Sequence, residues 1–197
     1  MRLLLASKSA ARRTMLDEAG VPFGLVDAEF DEEQAKAGLL QAGFDALELA
    51  EKLAEAKALA VADAGADLIL GADQTLERED GSLLSKPESR EEAFAQLKSL
   101  GGTTHRLHAA AAIAEGGKPV WWGSETARLT MRTFSDAFLH DYLDREWDQI
   151  RWTVGGYRIE GPGVQLFDKI EGSHFAILGL PLLPLLDYLR ERRLLPS

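Results

Sequence analysis

Apolar runs and segments with helical spacing alternate along the chain, a pattern typical of an α/β fold. Short runs of aliphatic or alternating residues predict strands, and longer segments with apolar residues three and four apart predict helices. Residues 21–43 follow neither period and predict a loop with short strands. The predicted strands span residues 2–6, 68–70, 104–113, 126–133 and 164–167. The predicted helices span residues 9–19, 45–62, 89–100, 136–145 and 182–189.

Residues at the helix ends support these boundaries. Ser89 with Glu92 has the spacing of a capping box, and Ser135 is a suitable N-cap for the helix that follows it. Gly20 follows the first helix, in the position where glycine commonly ends one. The leucine-rich last helix suits either a core or an interface between subunits, and core packing is the simpler expectation.

The composition is that of an ordinary globular protein, with 46% hydrophobic and 27% charged residues among 197. We find no repeat, low-complexity tract or flexible linker, so we expect a single domain over residues 1–197. No apolar run approaches the roughly 18 residues that span a membrane, and the apolar start is too short for a signal peptide. Cysteine is absent, which excludes disulfides and thiolate metal sites. These features predict a cytoplasmic protein that does not insert into membranes.

The formal net charge of −10 argues against binding of long nucleic acids. Such binding depends on many Lys and Arg residues that neutralise phosphates. A small phosphorylated ligand remains compatible with this charge, because it needs only a few converging basic residues and a metal ion.

Two arginines lie near the start of the first predicted helix, where cations are unfavourable and anions are favoured. Arg12 and Arg13 come shortly after Ser7 and Ser9. This arrangement is explained if an anion binds at that helix end. The alternative is that both side chains extend into solvent, as arginine usually does.

Lys57 lies on the apolar face of the helix predicted from Asp45. A lysine on that face must either extend its ammonium to the surface or meet a negative partner. We favour a negative partner, hence a functional role. The apolar positions that define the face are Ala46, Leu49, Ala50, Leu53 and Ala60.

Asp73 comes directly after the predicted buried strand at residues 68–70. In open α/β sheets, ligands bind beyond the carboxyl ends of strands. A carboxylate at that position can hold a metal ion or accept a proton from water. The alternative is an aspartate that satisfies its own turn.

Short segments spread over nearly the whole chain together resemble the Maf (septum-formation) family. Each motif is weak by itself, but seven in the correct order at compatible spacing are specific. The matching segments are Leu4-Leu5-Ala6-Ser7-Lys8-Ser9-Ala10-Ala11-Arg12-Arg13, Phe30-Asp31-Glu32, Leu53-Ala54-Glu55-Ala56-Lys57-Ala58, Gly71-Ala72-Asp73-Gln74, Ser85-Lys86-Pro87, Gly156-Tyr157-Arg158-Ile159-Glu160-Gly161, and Glu171-Gly172 with Gly179-Leu180-Pro181.

The resemblance implies an α/β fold in which helices flank an elongated, highly twisted mixed sheet, with two lobes around a nucleotide cleft as in the Maf and ITPase-like proteins. It also implies a nucleoside triphosphate pyrophosphatase that requires a divalent cation, Mg²⁺ or Mn²⁺. The substrate would be a small-molecule nucleotide, and the family suggests a homodimer.

The resemblance assigns roles to the residues that stand out above. Asp73 would accept the proton from the attacking water, and Glu32 with Asp73 would support the metal. The phosphate-binding residues would be Ser7, Arg12, Arg13, Lys57 and Lys86.

Three positions bear on the choice of base. Ala11 replaces the first arginine of the family signature, Gln74 stands in place of threonine, and Glu160 in place of glutamine. Together they resemble the family branch associated with 7-methyl-GTP. The chemistry of Glu160 suits that substrate, because its carboxylate can accept hydrogen bonds from guanine and favours the positive charge of the methylated base. The alternatives are a pyrophosphatase for dTTP and UTP, and a nucleotide-binding regulator of cell division with little turnover.

Overall fold

The computed structural model of the chain describes residues 2–61 and 67–196. Within these residues the strands are β1 Leu3–Leu5, β2 Phe23–Leu25, β3 Leu68–Arg78, β4 Leu83–Leu84, β5 Thr104–Glu115, β6 Lys118–Met131 and β7 Phe167–Glu171. The helices are α1 Ala10–Glu18, α2 Glu32–Gln41, α3 Ala46–Leu59, α4 Arg90–Leu100, α5 Asp136–Ile150, α6 His174–Ile177 and α7 Leu182–Glu191. Short 3-10 turns lie at Val154–Gly156 and Pro162–Leu166.

The strands form a mixed sheet, which confirms the predicted α/β class. The order is β2-β1-β3-β5-β6-β7, and β4 pairs with β3. β1 runs parallel to both β2 and β3, whereas β3 with β4 and β6 with β7 are antiparallel. The helix starts at Ser89 and Ser135 are as predicted, because each side chain accepts from the backbone N–H three residues on. The carboxylate of Glu92 accepts from Glu88 N, one residue before the predicted partner.

The prediction that β3 ends near Leu70 is wrong. β3 continues to Arg78, so Asp73 lies within a strand and not in a turn beyond one. β1, however, pairs with β3 only as far as Leu70, and the last bond joins Ala6 N to Leu70 O at 2.9 Å. Asp73 therefore projects from β3 where its neighbour β1 has already ended. Polar residues after Ala72 had concealed the extension of the strand.

Other boundaries also differ from the predictions. Residues 32–41 form helix α2, where a loop was predicted. The predicted strand at 164–167 is mostly a 3-10 turn that begins at Pro162, and β7 starts at Phe167. α3 ends at Leu59, and the predicted end at residue 62 lies outside the described residues. β6 is longer than predicted because it starts at Lys118, and α5 is longer because it ends at Ile150.

Helix α2 was missed because it buries no residue. Its start is nevertheless well determined locally. The Asp31 side chain accepts from Gln34 N at 3.0 Å, and Glu32 and Glu33 place negative charge at the positive end of the helix dipole. A helix without a buried face has no apolar stripe, so hydrophobic periodicity cannot reveal it.

The described chain divides into two compact units. The first comprises residues 1–74, 108–125 and 173–197. Its core includes Leu5, Leu16 and Leu70 together with Leu185 and Leu189 of α7, so the last helix packs in a core as expected. Within the described part of the chain no helix has the length and apolarity needed to cross a membrane.

The second unit comprises residues 75–107 and 126–172. His105 is buried in it, with Nε2 2.7 Å from Tyr157 Oη, and burial lowers the pKa of His105 to about 4. The ring is therefore neutral at physiological pH. Tyr157 also packs edge-on against Phe167, so His105 helps to anchor the segment that carries Arg158 and Glu160.

Candidate functional site

The N-terminal end of helix α1 has the features of an anion site. Ser9 caps the helix, and its Oγ accepts from Arg12 N at 3.4 Å. Ser7 Oγ accepts from Ser9 N at 3.3 Å, which holds the Ser7 hydroxyl near the start of the helix. The first turn of α1 contains no acidic residue. Since the first backbone N–H groups of a helix lack intrahelical partners, this end carries partial positive charge that no side chain of the turn neutralises.

Arg12 points into the protein and not into solvent. Its side chain donates from Nε to Gly179 O at 2.8 Å, and from Nη1 to Ala72 O at 2.9 Å and to Ser7 Oγ at 3.2 Å. The residue is only 9% exposed. Burial lowers the pKa of Arg12, and the negative charges of Asp73 and Glu32 oppose this shift. An arginine keeps its charge in such a place, so Arg12 presents a fixed cation beside the start of α1.

Arg13 differs from Arg12. Its guanidinium folds back on the segment before the helix, donating to Ser9 O at 3.4 Å and to Lys8 O at 3.2 Å. It is half-buried. The two arginines therefore share one end of α1 but only Arg12 is built into the protein interior, which a sequence motif could not distinguish.

Lys57 has the negative partners that its position on α3 predicted. Its Nζ lies 2.8 Å from Glu32 Oε2 and 2.5 Å from Asp73 Oδ1. The side chains of Lys57 and Asp73 are 12% and 8% exposed, and that of Glu32 is 40% exposed. We call these three residues the Lys57 cluster. A cation so nearly buried needs such partners, and the prediction that Lys57 meets a negative partner is confirmed.

A close approach of β3 to α3 makes the Lys57 cluster possible. Gly71 packs against the helix so tightly that a Cβ atom there would lie 2.2 Å from Ala54 O and 2.5 Å from Ala58 N. Only glycine permits that approach. It places Asp73, two residues further along the strand, within reach of Lys57 on the adjoining turn of the helix.

A turn at the end of α6 is tied to both α1 and β3. Gln74 Nε2 donates to Ala176 O at 2.8 Å and to Ile177 O at 3.0 Å. Gly179 has φ +95°, and a Cβ atom there would lie 3.3 Å from Arg12 Nη2 and 3.5 Å from Gln74 Oε1. Sequence analysis had assigned no role to Gly179. Its only signal was its place in the Gly179-Leu180-Pro181 motif.

Replacing Gly179 with Ala is expected to weaken anion binding. The methyl group crowds the Arg12 guanidinium, and a positive φ is unfavourable for alanine. A hydrogen bond to a charged group contributes about 1.5–3 kcal/mol, so we expect the Kd for inorganic tripolyphosphate to rise roughly tenfold or more when Arg12 is displaced. Calorimetry measures this Kd.

Gly43→Ala is the matched control for that substitution. Gly43 has φ +87°, but a Cβ atom there would meet nothing within 4 Å. The Gly43→Ala substitution therefore imposes the same kind of backbone strain without contacting Arg12. Equal weakening of tripolyphosphate binding in both variants would show that strain, and not displacement of Arg12, is responsible.

The carboxylates of the Lys57 cluster are suited to a divalent metal. Mg²⁺ and Mn²⁺ prefer oxygen ligands, and Mg²⁺ is commonly held by one or two carboxylates plus substrate phosphates and water. Glu32 and Asp73 supply two such groups converging on one cation, the Lys57 ammonium. Among the described residues there is no group of three or more His, Cys, Asp or Glu that could hold a metal. Two carboxylates match the number that commonly holds Mg²⁺ together with phosphate and water ligands.

The structure brings six of the predicted site residues into two connected groups in the first unit. Lys86 and Glu160 belong to the second unit, where each is exposed: Lys86 follows β4, and Glu160 lies between the two 3-10 turns. Ala11 is half-buried in the first turn of α1. The grouped residues are Ser7, Arg12 and Gln74 around Gly179, and Glu32, Lys57 and Asp73 in the Lys57 cluster.

Comparison with known proteins agrees with the resemblance seen in the sequence. Residues 2–192 match the family model described as Maf-like protein. The nucleoside triphosphate pyrophosphatase of Sphingopyxis alaskensis is 48% identical over 198 residues, covering 100% of both chains. That of Caulobacter vibrioides is 50% identical over 186 residues, covering 94% of this chain and 93% of the relative. That of Ruegeria pomeroyi is 47% identical over 192 residues, covering 96% of each.

These similarities extend over nearly the whole chain and include the segments that form the Lys57 cluster and the start of α1. The predicted family is thereby confirmed, and the chain belongs to the Maf-like protein family.

Proposed function

We propose that this protein is a nucleoside triphosphate pyrophosphatase that hydrolyses the bond between the α- and β-phosphates. The observation that carries the proposal is the Lys57 cluster, a nearly buried cation between two carboxylates, in the same unit as the fixed cation of Arg12. The similar proteins of three bacteria are named nucleoside triphosphate pyrophosphatase. The products would be a nucleoside monophosphate and pyrophosphate.

We assign phosphate binding to the N-terminal end of α1. Ser7 Oγ accepts two hydrogen bonds from protein groups, which leaves its own O–H to donate to a phosphate oxygen. Arg12 uses Nε and Nη1 on protein acceptors, and within the described residues Nη2 donates to none. Its N–H groups, with those of the first helical turn and Arg13, can therefore bind a phosphate chain.

We assign Asp73 the role of proton acceptor. Its Oδ1 binds the Lys57 ammonium, and in the described part of the chain Oδ2 accepts no hydrogen bond from protein. A water molecule held at Oδ2 would transfer a proton to it while the water oxygen bonds to the α-phosphorus. The bond from that phosphorus to the bridging oxygen breaks, and pyrophosphate leaves with the bridging oxygen and its electron pair.

Positive charge must balance the phosphates as the leaving group forms. We propose that Lys57 and Arg12 supply it, and we assign the exposed Lys86 the same role on the family resemblance. We propose that Glu32 and Asp73 hold Mg²⁺ or Mn²⁺, which when bound supplies Lewis-acid stabilisation of the phosphate charge.

We further propose 7-methyl-GTP, or another modified nucleotide, as the preferred substrate. The support is chemical: Glu160 is an exposed carboxylate able to accept from the N1–H and amino group of guanine and to favour a cationic base. Gln74 would contribute indirectly, because its amide nitrogen is already used by the carbonyls of Ala176 and Ile177. Ala11 leaves room where other family members carry a larger side chain.

A panel assay tests these proposals. The protein is incubated with Mg²⁺ or Mn²⁺ and 7-methyl-GTP, GTP, dTTP, UTP or CTP, with and without EDTA, and released pyrophosphate is measured. We expect metal-dependent release that is fastest with 7-methyl-GTP. We expect Glu160→Gln to reduce this preference, because the amide loses the negative charge that favours a methylated guanine.

The outcomes separate the alternatives. Faster cleavage of dTTP or UTP keeps the activity and rejects the assignment of the base. Release that persists in EDTA rejects the role of the metal. Nucleotide binding without pyrophosphate release from any substrate rejects the enzyme and favours a regulatory nucleotide-binding protein.

A further inference from the structure

The Lys57 ammonium lies between the two carboxylates that are best suited to a metal ion. Its Nζ is 2.8 Å from Glu32 Oε2 and 2.5 Å from Asp73 Oδ1. Each partner comes from a different element: Glu32 is the first residue of α2, Lys57 lies in the last turn of α3, and Asp73 is within β3. The ammonium therefore joins three elements at one point.

A divalent cation and this ammonium compete for the same oxygens. A metal ion bound by Glu32 and Asp73 would lie beside Lys57, and two cations at such a distance repel each other strongly in a site with little solvent. Asp73 is nearly buried and Glu32 is 40% exposed, so water screens the repulsion only in part. Metal binding at Glu32 Oε2 and Asp73 Oδ1 would thus require Lys57 to leave its present contacts.

Lysine is suited to such a displacement. Its charge is carried on a flexible four-carbon stem, unlike the rigid fork of arginine. Once displaced, the ammonium needs a new anionic partner, since an unpaired charge in a nearly buried place is costly. A bound triphosphate offers that partner.

We propose that Lys57 is an internal competitor of the metal, which keeps the carboxylate pair of Glu32 and Asp73 occupied until a nucleotide brings phosphates for the ammonium to bind. The inference rests on the metal-dependent function proposed above and adds a regulation of the same site. Its consequence is coupling: nucleotide strengthens metal binding by drawing Lys57 away, and by reciprocity metal strengthens nucleotide binding.

Mn²⁺ binding in the absence of nucleotide tests the proposal directly. Electron paramagnetic resonance measures free Mn²⁺ during titration of the wild-type protein and of Lys57→Met, which keeps an unbranched side chain one atom shorter and removes the charge. We expect Lys57→Met to bind Mn²⁺ about tenfold more tightly or better, within the range of typical coupling between sites. Equal or weaker binding by Lys57→Met would overturn the proposal.

Lys52→Met is the matched control. Lys52 lies on the same helix, is exposed, and its ammonium is 3.7 Å from Glu55 Oε2. Its replacement removes the same charge from α3 without altering the carboxylate pair, so we expect unchanged Mn²⁺ affinity. A gain in Lys52→Met equal to that in Lys57→Met would attribute the effect to net charge and overturn the proposal.

Two further variants complete the test. Lys57→Gln removes the charge with a different side chain, so the comparison survives if Lys57→Met unfolds, and it should also bind Mn²⁺ more tightly. Adding Asp73→Asn to either variant should remove the gain in Mn²⁺ affinity. A gain that persists would mean that the metal binds elsewhere and would refute the proposal. These titrations involve no turnover. Failure of the panel assay therefore rejects the proposed function, whereas equal Mn²⁺ affinities reject only the competition.

Discussion

Asp73→Asn is expected to lower kcat by about 1000-fold while changing the Kd for nucleotide only a few-fold. General-base catalysis contributes about 100-fold to 10,000-fold, and an amide cannot accept the proton that Asp73 Oδ2 would take. In the proposed function phosphate binding depends mainly on Ser7 and Arg12, which the substitution does not touch. Pyrophosphate release with metal measures kcat. Calorimetry in EDTA, with a nucleotide carrying a methylene bridge between its α- and β-phosphates, measures the Kd without any contribution from the metal that Asp73 is proposed to hold.

Asp67→Asn provides the comparison for this experiment. Asp67 precedes β3 and is hydrogen-bonded to Arg2, so its replacement makes the same chemical change away from the Lys57 cluster. Its kcat should match the wild type. If Asp73→Asn instead keeps most of its turnover, or loses binding as much as turnover, Asp73 is not the proton acceptor.

Gly71→Ala is expected to destabilise the folded protein by at least about 3 kcal/mol. Overpacking usually costs about 1–3 kcal/mol. Here the added methyl would lie 2.2 Å from Ala54 O and 2.5 Å from Ala58 N, and backbone atoms of a buried helix cannot move aside cheaply. A loss of that size corresponds to a fall in Tm of roughly 10 °C for a chain of this length. Differential scanning calorimetry measures it.

The substitution should also impair the site below the melting temperature. Separating β3 from α3 lengthens the distance between Asp73 and Lys57, which are now 2.5 Å apart at their polar atoms. Gly38→Ala is the control: Gly38 lies in helix α2, where a Cβ atom would meet nothing within 4 Å, and alanine favours a helix there by up to about 1 kcal/mol. A Tm for Gly71→Ala close to that of the wild type would mean that β3 and α3 do not pack this tightly.

Local patterns predicted most elements because those elements bury one face. β1, α1 and α3 were located by apolar spacing and, for α1, by Gly20 at its end, and the structure agrees with them to within a few residues in the described part of the chain. Helix α2 was missed because it has no buried face, and the length of β3 was missed because Asp73 and Gln74 interrupt its apolar run. Periodicity reports burial, and it does not report backbone hydrogen bonding by itself.

The site was partly visible in advance for the same reason. Lys57 stood out because a charge on an apolar face requires a partner, and the partners proved to be Glu32 and Asp73. The arginine pair also stood out, but only the structure shows that Arg12 is buried and Arg13 is not. Gly179 gave no comparable signal, because a glycine required by a distant guanidinium looks like any other glycine after a helix.

The sequence alone determined the fold class, the family and the charged residues that are out of place for packing, because local spacing, caps and ordered motifs are properties of neighbours in the chain. The tertiary structure alone decided which of these residues meet. Asp73 reaches Lys57 because Gly71 lets a strand touch a helix, and Arg12 reaches Gly179 across most of the chain. Such contacts depend on distances between segments remote in sequence, and those distances are settled only when the elements pack.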